Sequence, residues 1–255
     1  MSVFGNYARY YDLLYRDKDY VGEAEFIHRL IQTYGPDAQN ILELGCGTGN
    51  HAVLLAKEGY QIHGVDFSHQ MLQKASDRLL QLPLDLASKL KFSHADIRHI
   101  KLNHTFDVVL SLFHVISYQT TNEDILAAFA AVKEHLKPGG IFIFDVWYGP
   151  AVLNHRPSVR VKRLENEEIN VTRIAEPVMH PNENLVDVNY QVFIKDKNSG
   201  AVEELQETHL MRYLFKPEIE LLLQEFQMTL LEYQEWMTNQ EPGFDTWGVY
   251  FVVRA

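Results

Sequence analysis

The chain has 255 residues, 46% apolar, 12% aromatic and 22% charged, which excludes disordered and fibrous classes and leaves one α/β domain or a domain with a lobe. The formal net charge of -11, with no Lys/Arg stripe, argues against nucleic acid and for a small-molecule substrate. The start MSVFGNYARYYDLLYRDKD has no apolar signal core, no later run reaches membrane-span length, and Cys46 stands alone, so the expectation is a cytoplasmic protein without disulfides.

The N-terminal stretch NYARYYDLLYRDKDY carries Tyr7, Tyr11 and Tyr15 at i, i+4 spacing, a pattern that lays three rings on one helix face. From Ile41 onward short apolar strands alternate with amphipathic helices, which predicts a parallel sheet covered on both faces. The strands are NILELG, YQIHGVD, LKFSHAD, FDVVLSLF and GGIFIFDVW. A helix over HAVLLAKEG ends at Gly59, and a second follows Ser68 as N-cap with Met71, Leu72, Ala75 and Leu79 on its apolar face. A third starts near Thr121 or Asn122, carries Ile125, Phe129, Val132 and Leu136, and is broken by LKPGG.

After Trp147 the period changes to two. Val186, Val188, Tyr190, Val192 and Ile194 alternate with Asp187, Asn189 and Gln191, as in an antiparallel strand wet on one face. With EEINVTRI before it and AVEELQETHLMRYLF after it, a three-stranded meander is expected. The division is therefore residues 1–150 as a helical lid and Rossmann-like core, 151–215 as an antiparallel insert serving substrate or a homodimer, and 216–255 as the remaining core, where KPEIELLLQEF, TLLEYQEWM and WGVYFVVRA resume the α/β pattern.

The loop in ILELGCGTGN places Gly45, Gly47 and Gly49 between a strand and a helix, where backbone N–H groups can approach a ligand closely. A dinucleotide fingerprint would want its third glycine at position 50, which is Asn50, so a nicotinamide-dependent oxidoreductase is the weaker alternative. Glu43 precedes the loop, Asp66 ends the second strand and can accept from ribose hydroxyls, and Asp96 with Ile97 ends the third, where an adenine amino group can be met.

ELGCGTGN, GVDFS with Met71, HADI, FDVVLSLF and LKPGG together resemble the motif series of class I S-adenosylmethionine (SAM) dependent methyltransferases, over roughly residues 38 to 147. The resemblance implies a mostly parallel seven-stranded sheet with helices on both faces, and SAM as methyl donor with S-adenosylhomocysteine (SAH) as product. It also implies a cofactor site of Tyr15, Glu43, Gly45, Cys46, Gly47, Gly49, Asp66, Phe67, Met71, Asp96, Ile97 and Leu112, with Cys46 a small packing residue. Glu43 would suit the positive charge of the methionine part.

Ligands of open α/β sheets sit beyond the carboxyl ends of the strands, which directs attention to SLFHVISYQ and to His114 and Tyr118. Across most of the chain, YARYYDLLYRDKDY, GCGTGNH, SLFHVISY, the meander and ETHLMRYLFKPEI are similar to the N-methyltransferases of nucleotide-linked amino sugars. In that family the tyrosine helix closes the site and the insert shapes the sugar-nucleotide pocket. The similarity implies Tyr11, Tyr118, His209 and Arg212 facing the substrate, while His114 is set near the acceptor by its place after the fourth strand and Tyr7 and Trp147 are further candidates for binding it; where the family carries a His, this chain has Tyr118. A catalytically silent SAM-fold binding protein is the alternative of another class. His94, His99 and His104 match no zinc spacing, so no metal is expected.

Overall fold

The structure, a computed structural model, describes residues 7–255, with side chains from Tyr10 onward. Two helices lead in, α1 (Tyr7–Leu14) and α2 (Tyr20–Tyr34). Asp19 caps α2 by accepting the Gly22 N–H, and Ala24, Ile27 and Ile31 recur at helical spacing to turn one face of it into the core.

The central layer then alternates strand and helix: β1 (Asn40–Leu44), α3 (Asn50–Lys57), β2 (Gln61–Asp66), α4 (His69–Leu79), α5 (Leu84–Ala87), β3 (Leu90–His94) and β4 (Phe106–Ser111). A 3-10 turn (Val115–Tyr118), α6 (Asn122–His135) and β5 (Leu136–Tyr148) follow. The cap expected at Ser68 is present and Thr121 caps α6, each hydroxyl accepting a backbone N–H three residues on. Strands β3-β2-β1-β4-β5 pair in parallel. The chain returns through α8 (Lys216–Glu225), β10 (Thr229–Glu235) and β11 (Gly248–Arg254), with β11 antiparallel to both β5 and β10. These seven strands are the sheet of a Rossmann-like class I methyltransferase fold. Val108, Phe142, Ile143, Phe144 and Phe251 are wholly buried between its covering helices.

Between β5 and α8 lie α7 (Gly149–Asn154) and four strands, β6 (Arg160–Glu165), β7 (Ile169–His180), β8 (Leu185–Asp196) and β9 (Val202–Leu214). They pair antiparallel in chain order, and β9 joins the main sheet through Trp147↔Tyr213 and Tyr148↔Leu214. The meander thus has one strand more than expected. The extra one, RVKRLE, is an edge strand, exposed at every position except Leu164, and lacks the alternation that marks a half-buried strand. The inner face of the meander packs Val171, Val192, Ile194 and Leu205 against Tyr10 and Leu14 of α1. No helix among the described residues is long and apolar enough to cross a membrane.

Candidate active site

A cavity of about 360 Å³ opens beyond the carboxyl ends of β1, β2, β4 and β5, with α1 across one side and the inner face of the meander across another. Its cofactor-side wall begins at the glycine loop. Gly45, Gly47 and Gly49 all have positive φ, at 71°, 55° and 77°, which side chains rarely adopt. The three are needed for different reasons. A Cβ on Gly45 would lie 2.5 Å from Val115, and one on Gly49 would lie 2.7 Å from Phe92, so these two keep the loop packed. A Cβ on Gly47 would meet no protein atom within 4 Å, because this residue borders the cavity.

Asp66 holds the loop down. One carboxylate oxygen accepts the Gly47 N–H at 2.8 Å and the other accepts the Ser68 N–H at 2.8 Å. An ionised carboxylate has about four acceptor positions, so two remain for hydroxyls of a ligand. Burial pushes the Asp66 pKa above the ordinary carboxylate value, against the pull of those backbone N–H groups. Asp96 also lines the cavity, gripped by the Arg98 guanidinium at 2.6 Å, which in turn reaches Asp124 at 2.6 Å. That grip holds the Asp96 carboxyl below its usual range. Tyr15, Cys46, Phe67, Met71, Ile97 and Leu112 complete this half of the wall, the Cys46 thiol buried and its pKa pushed well up by that burial.

Two expected cofactor residues stand back from the wall. Gly49 is turned toward Phe92 and serves as the N-cap of α3. Glu43 lies in β1 behind the loop, 2% exposed, with Oε2 lacking a hydrogen-bond partner. Burial, with the charge of Asp66 added, pushes its pKa up to about 8, so at neutral pH it is mostly uncharged and cannot supply the charge expected beside the methionine part. His51 lines the cavity in its place, donating toward Glu23 at 2.7 Å and lying 3.9 Å from Glu43.

Tyr11, His114, Tyr118, Trp147 and His209, which the sequence reading set near an acceptor, line the rest of the cavity together with Tyr20, Gln119, Val188, Tyr190 and Met211. Tyr11 packs on Tyr15 with ring centroids 4.8 Å apart. Asp12 of the same helix accepts from the Thr48 hydroxyl at 3.0 Å, while Lys162 of β6 donates to the Leu14 carbonyl at 2.8 Å. The helix is thus tied to the glycine loop on one side and to the meander on the other. Tyr118 is hydrogen-bonded to His209 Nδ1 at 2.8 Å.

Arg212 requires a correction. It points to the opposite face of β9, where it is buried and bound to Asn122 and Glu218, away from the cavity. The reason is parity, since successive side chains of a strand alternate and 209 and 212 differ by an odd number. Tyr7 lies outside the residues whose side chains are described. Asp145, His51, Tyr20, Gln119, Val188, Tyr190 and Met211 escaped the sequence reading.

Fold, loop and strand-end acids define a class I SAM-dependent methyltransferase. A family model described as a methyltransferase domain matches residues 41–140. The chain is 31% identical over 218 residues to the dTDP-3-amino-3,4,6-trideoxy-alpha-D-glucopyranose N,N-dimethyltransferase of Streptomyces venezuelae, covering 84% of this chain and 86% of that one. It is 26% identical to a putative methyltransferase of a Geobacillus species over 99% of both chains. The crystal structure of an S-adenosylmethionine-dependent methyltransferase from Clostridium acetobutylicum superposes with a TM-score of 0.83 at 25% identity, covering 98% of this chain and 97% of that one. The chain belongs to the SAM-dependent methyltransferase family, and the oxidoreductase alternative is set aside.

The cavity fits SAM on its own terms: a glycine whose missing side chain leaves room at the wall, a carboxylate with acceptor positions to spare, and apolar side chains for a flat ring. Bound SAM supplies an electrophilic methyl group on a sulfonium.

Proposed function

We propose that this methyltransferase acts on the amino nitrogen of a nucleotide-linked amino sugar, in the cytoplasm, as a homodimer and without a nucleic-acid partner. In this reading the roles of the wall residues are those the sequence suggested, with Arg212, Glu43 and Gly49 removed. The meander, residues 151–215, forms the acceptor lobe between the two core segments 1–150 and 216–255.

The observation that carries this reading is the distribution of polar groups. Among the described lining residues Arg98 is the one Arg or Lys, and it is spoken for by Asp96 and Asp124, so the interior offers a diphosphate no free cation. It offers phenols, imidazoles and an indole, which hydrogen-bond and stack on a sugar. Cations gather instead at the lid edge. Lys162 Nζ lies 6.0 Å from the Tyr15 ring, and Arg173 sits 4.6 Å over the ring of Tyr190. Partial desolvation and the neighbouring Arg173 push the Lys162 pKa down, outweighing the opposing charge of Asp17, so an added anion would be welcome there. The geometry suits a molecule whose amino sugar enters the cavity and whose diphosphate stays at that edge.

Alignment is the larger share of what the residues supply, and handling the acceptor's proton the smaller. Holding an amine in line with the methyl and excluding water can supply about 7–11 kcal/mol of the barrier. SAH release measured with dTDP-3-amino-3,4,6-trideoxy-α-D-glucopyranose, with the same sugar lacking the nucleotide, and with no acceptor tests the reading. Turnover with the first, much reduced with the second, is the expected result. An enzyme that binds SAH yet turns over neither sugar would sink the acceptor assignment.

A further inference from the structure

We infer that Tyr118, His209 and Glu207 form a proton relay opening on the acceptor end of the cavity, with Tyr118 touching the amine and His209 and Glu207 as positioning residues behind it. The inference rests on the methyltransferase reading and names the group that receives the acceptor's proton.

The three side chains stand in a row. The Tyr118 hydroxyl lies 2.8 Å from His209 Nδ1, and His209 Nε2 lies 3.5 Å from Glu207 Oε2. With the phenol donating to Nδ1, the ring carries its own proton on Nε2, turned toward the carboxylate. Glu207, His209 and Met211 share the inward face of β9, so strand periodicity alone lines up the two inner members. His209 and Glu207 side chains are 3% and 6% exposed, which shields the row from bulk water.

Glu207 is the telling member. Its Oε2 also accepts from Tyr10 at 3.3 Å, but its Oε1 is buried with no hydrogen-bond partner. A buried carboxylate left half-satisfied is costly, and beyond the standing charge of Arg173 nearby it gains from a positive charge that forms beside it during the working cycle. An imidazolium at His209 is that charge. The other groups facing this row are Tyr10, Tyr11 and Tyr15 from the lid, Tyr190 from β8, with its ring 5.0 Å from that of His209, and Arg173 from β7 over Tyr190. Burial holds the Tyr118 phenol well above its ordinary value, so it does not rest as a tyrosinate and can accept a proton only by passing one on. His114 is occupied differently, its ring 2.6 Å from Asp145 in a pair that also fixes the backbone.

The step balances as follows in protons. Methylation leaves the acceptor nitrogen positive with one N–H in excess. That proton passes to the Tyr118 oxygen while the phenol's own proton passes to His209 Nδ1, leaving neutral amine, neutral phenol and an imidazolium facing Glu207. The imidazolium returns its proton to water on opening of the site. No oxidant or further reactant is required.

The test has two arms, one independent of turnover. In the SAH complex of the protein labelled with 15N-histidine, His209 should show the Nε2–H tautomer with Nδ1 hydrogen-bonded. Tyr118→Phe should move the Nδ1 resonance toward its unbonded position, and Glu207→Gln should move the Nε2–H proton resonance. Resonances unchanged in both variants would overturn the relay, whatever the acceptor. In the second arm, with SAM and the dTDP-amino sugar, His209→Gln and Glu207→Gln should lower kcat by about 100-fold while KM stays within about twofold, as for loss of proton transfer rather than binding. The kcat of both should recover as pH is raised and the amine sheds its proton unaided. A His209→Gln enzyme with wild-type kcat and pH profile, or a pH limb abolished only by His114→Asn, would also overturn it. Failure of the wild type to use the sugar, with the spectroscopic signature intact, would sink the acceptor assignment and leave the relay standing.

Discussion

The Asp145 carboxylate lies 2.6 Å from His114 Nδ1 and accepts the backbone N–H of the same residue at 3.1 Å. Phe113 and His114 both have φ of 64°, a left-handed conformation disfavoured for side-chain-bearing residues and unusual twice in succession. Asp145, 2% exposed in β5, is therefore the clamp that holds the segment after β4 in a strained path and aims His114 and Tyr118 at the cavity.

Asp145→Asn keeps the shape and loses the charge. Hydrogen bonds to a charged group are worth about 1.5–3 kcal/mol, and the carboxylate serves the His114 backbone N–H and lies against its ring, so a loss of about 2–3 kcal/mol is expected. For a chain of this size that lowers Tm by roughly 5–10 °C. The acceptor KM should rise as His114 and Tyr118 lose their aim. Melting indistinguishable from wild type would show that the segment is held by other contacts.

Asp66 ties the glycine loop to β2 and lines the cavity. SAH at a hundredfold excess over its Kd should stabilise the wild type by about 2.7 kcal/mol, or roughly 5–10 °C. Asp66→Ala should lose this increment under the same conditions, while NADH raises the Tm of neither protein. An Asp66→Ala protein with the full SAH shift would remove this residue from the cofactor site.

Glu43 binds a proton on folding. Its folded pKa is raised to about 8 by burial and then by Asp66, above the carboxylate's ordinary 4.5. Between those values the folded state holds a proton that the unfolded state has lost, so the stability contribution falls as pH rises from 4.5 toward 8. Glu43→Gln removes that slope. The variant should match the wild type near pH 4.5 and exceed it by something on the order of 2–3 kcal/mol near pH 7, read from urea unfolding across the range. A stability difference that does not vary with pH would mean that Glu43 is ionised in the folded protein.

Much of this site was legible in the sequence because it rests on local rules. The ELGCGTGN loop, the acids at the ends of β2 and β3 and the caps Ser68 and Thr121 each follow from a short pattern with one structural solution. What escaped depends on pairing across the chain. Tyr190 and His209 meet because β8 and β9 are in a particular register, which no local pattern encodes. Asp145 left a signal, a lone charge in the apolar run GGIFIFDVW, since such a residue survives burial only with a partner. Arg212 could have been rejected by counting, because it and His209 cannot share a strand face. Glu43 reads as a charge in the sequence, and only its burial in β1 shows that it is mostly neutral.

The lid edge gives the last prediction. Lys162 is tethered to the Leu14 carbonyl at 2.8 Å, and its pKa is pushed down by burial and by Arg173, an arrangement that an incoming diphosphate would relieve. A charge-assisted hydrogen bond to phosphate is worth about 1.5–3 kcal/mol, and partial exposure here argues for the lower end, so Lys162→Ala should raise KM for a nucleotide-linked acceptor about tenfold. Because Lys162 does not itself line the cavity, the SAM dissociation constant should change far less than the acceptor KM. The effect should weaken with added salt and vanish for the sugar without its nucleotide, which separates loss of phosphate binding from loss of lid packing. An equal KM increase for both sugars would assign Lys162 to holding the lid through Leu14, and the diphosphate would have to be sought elsewhere.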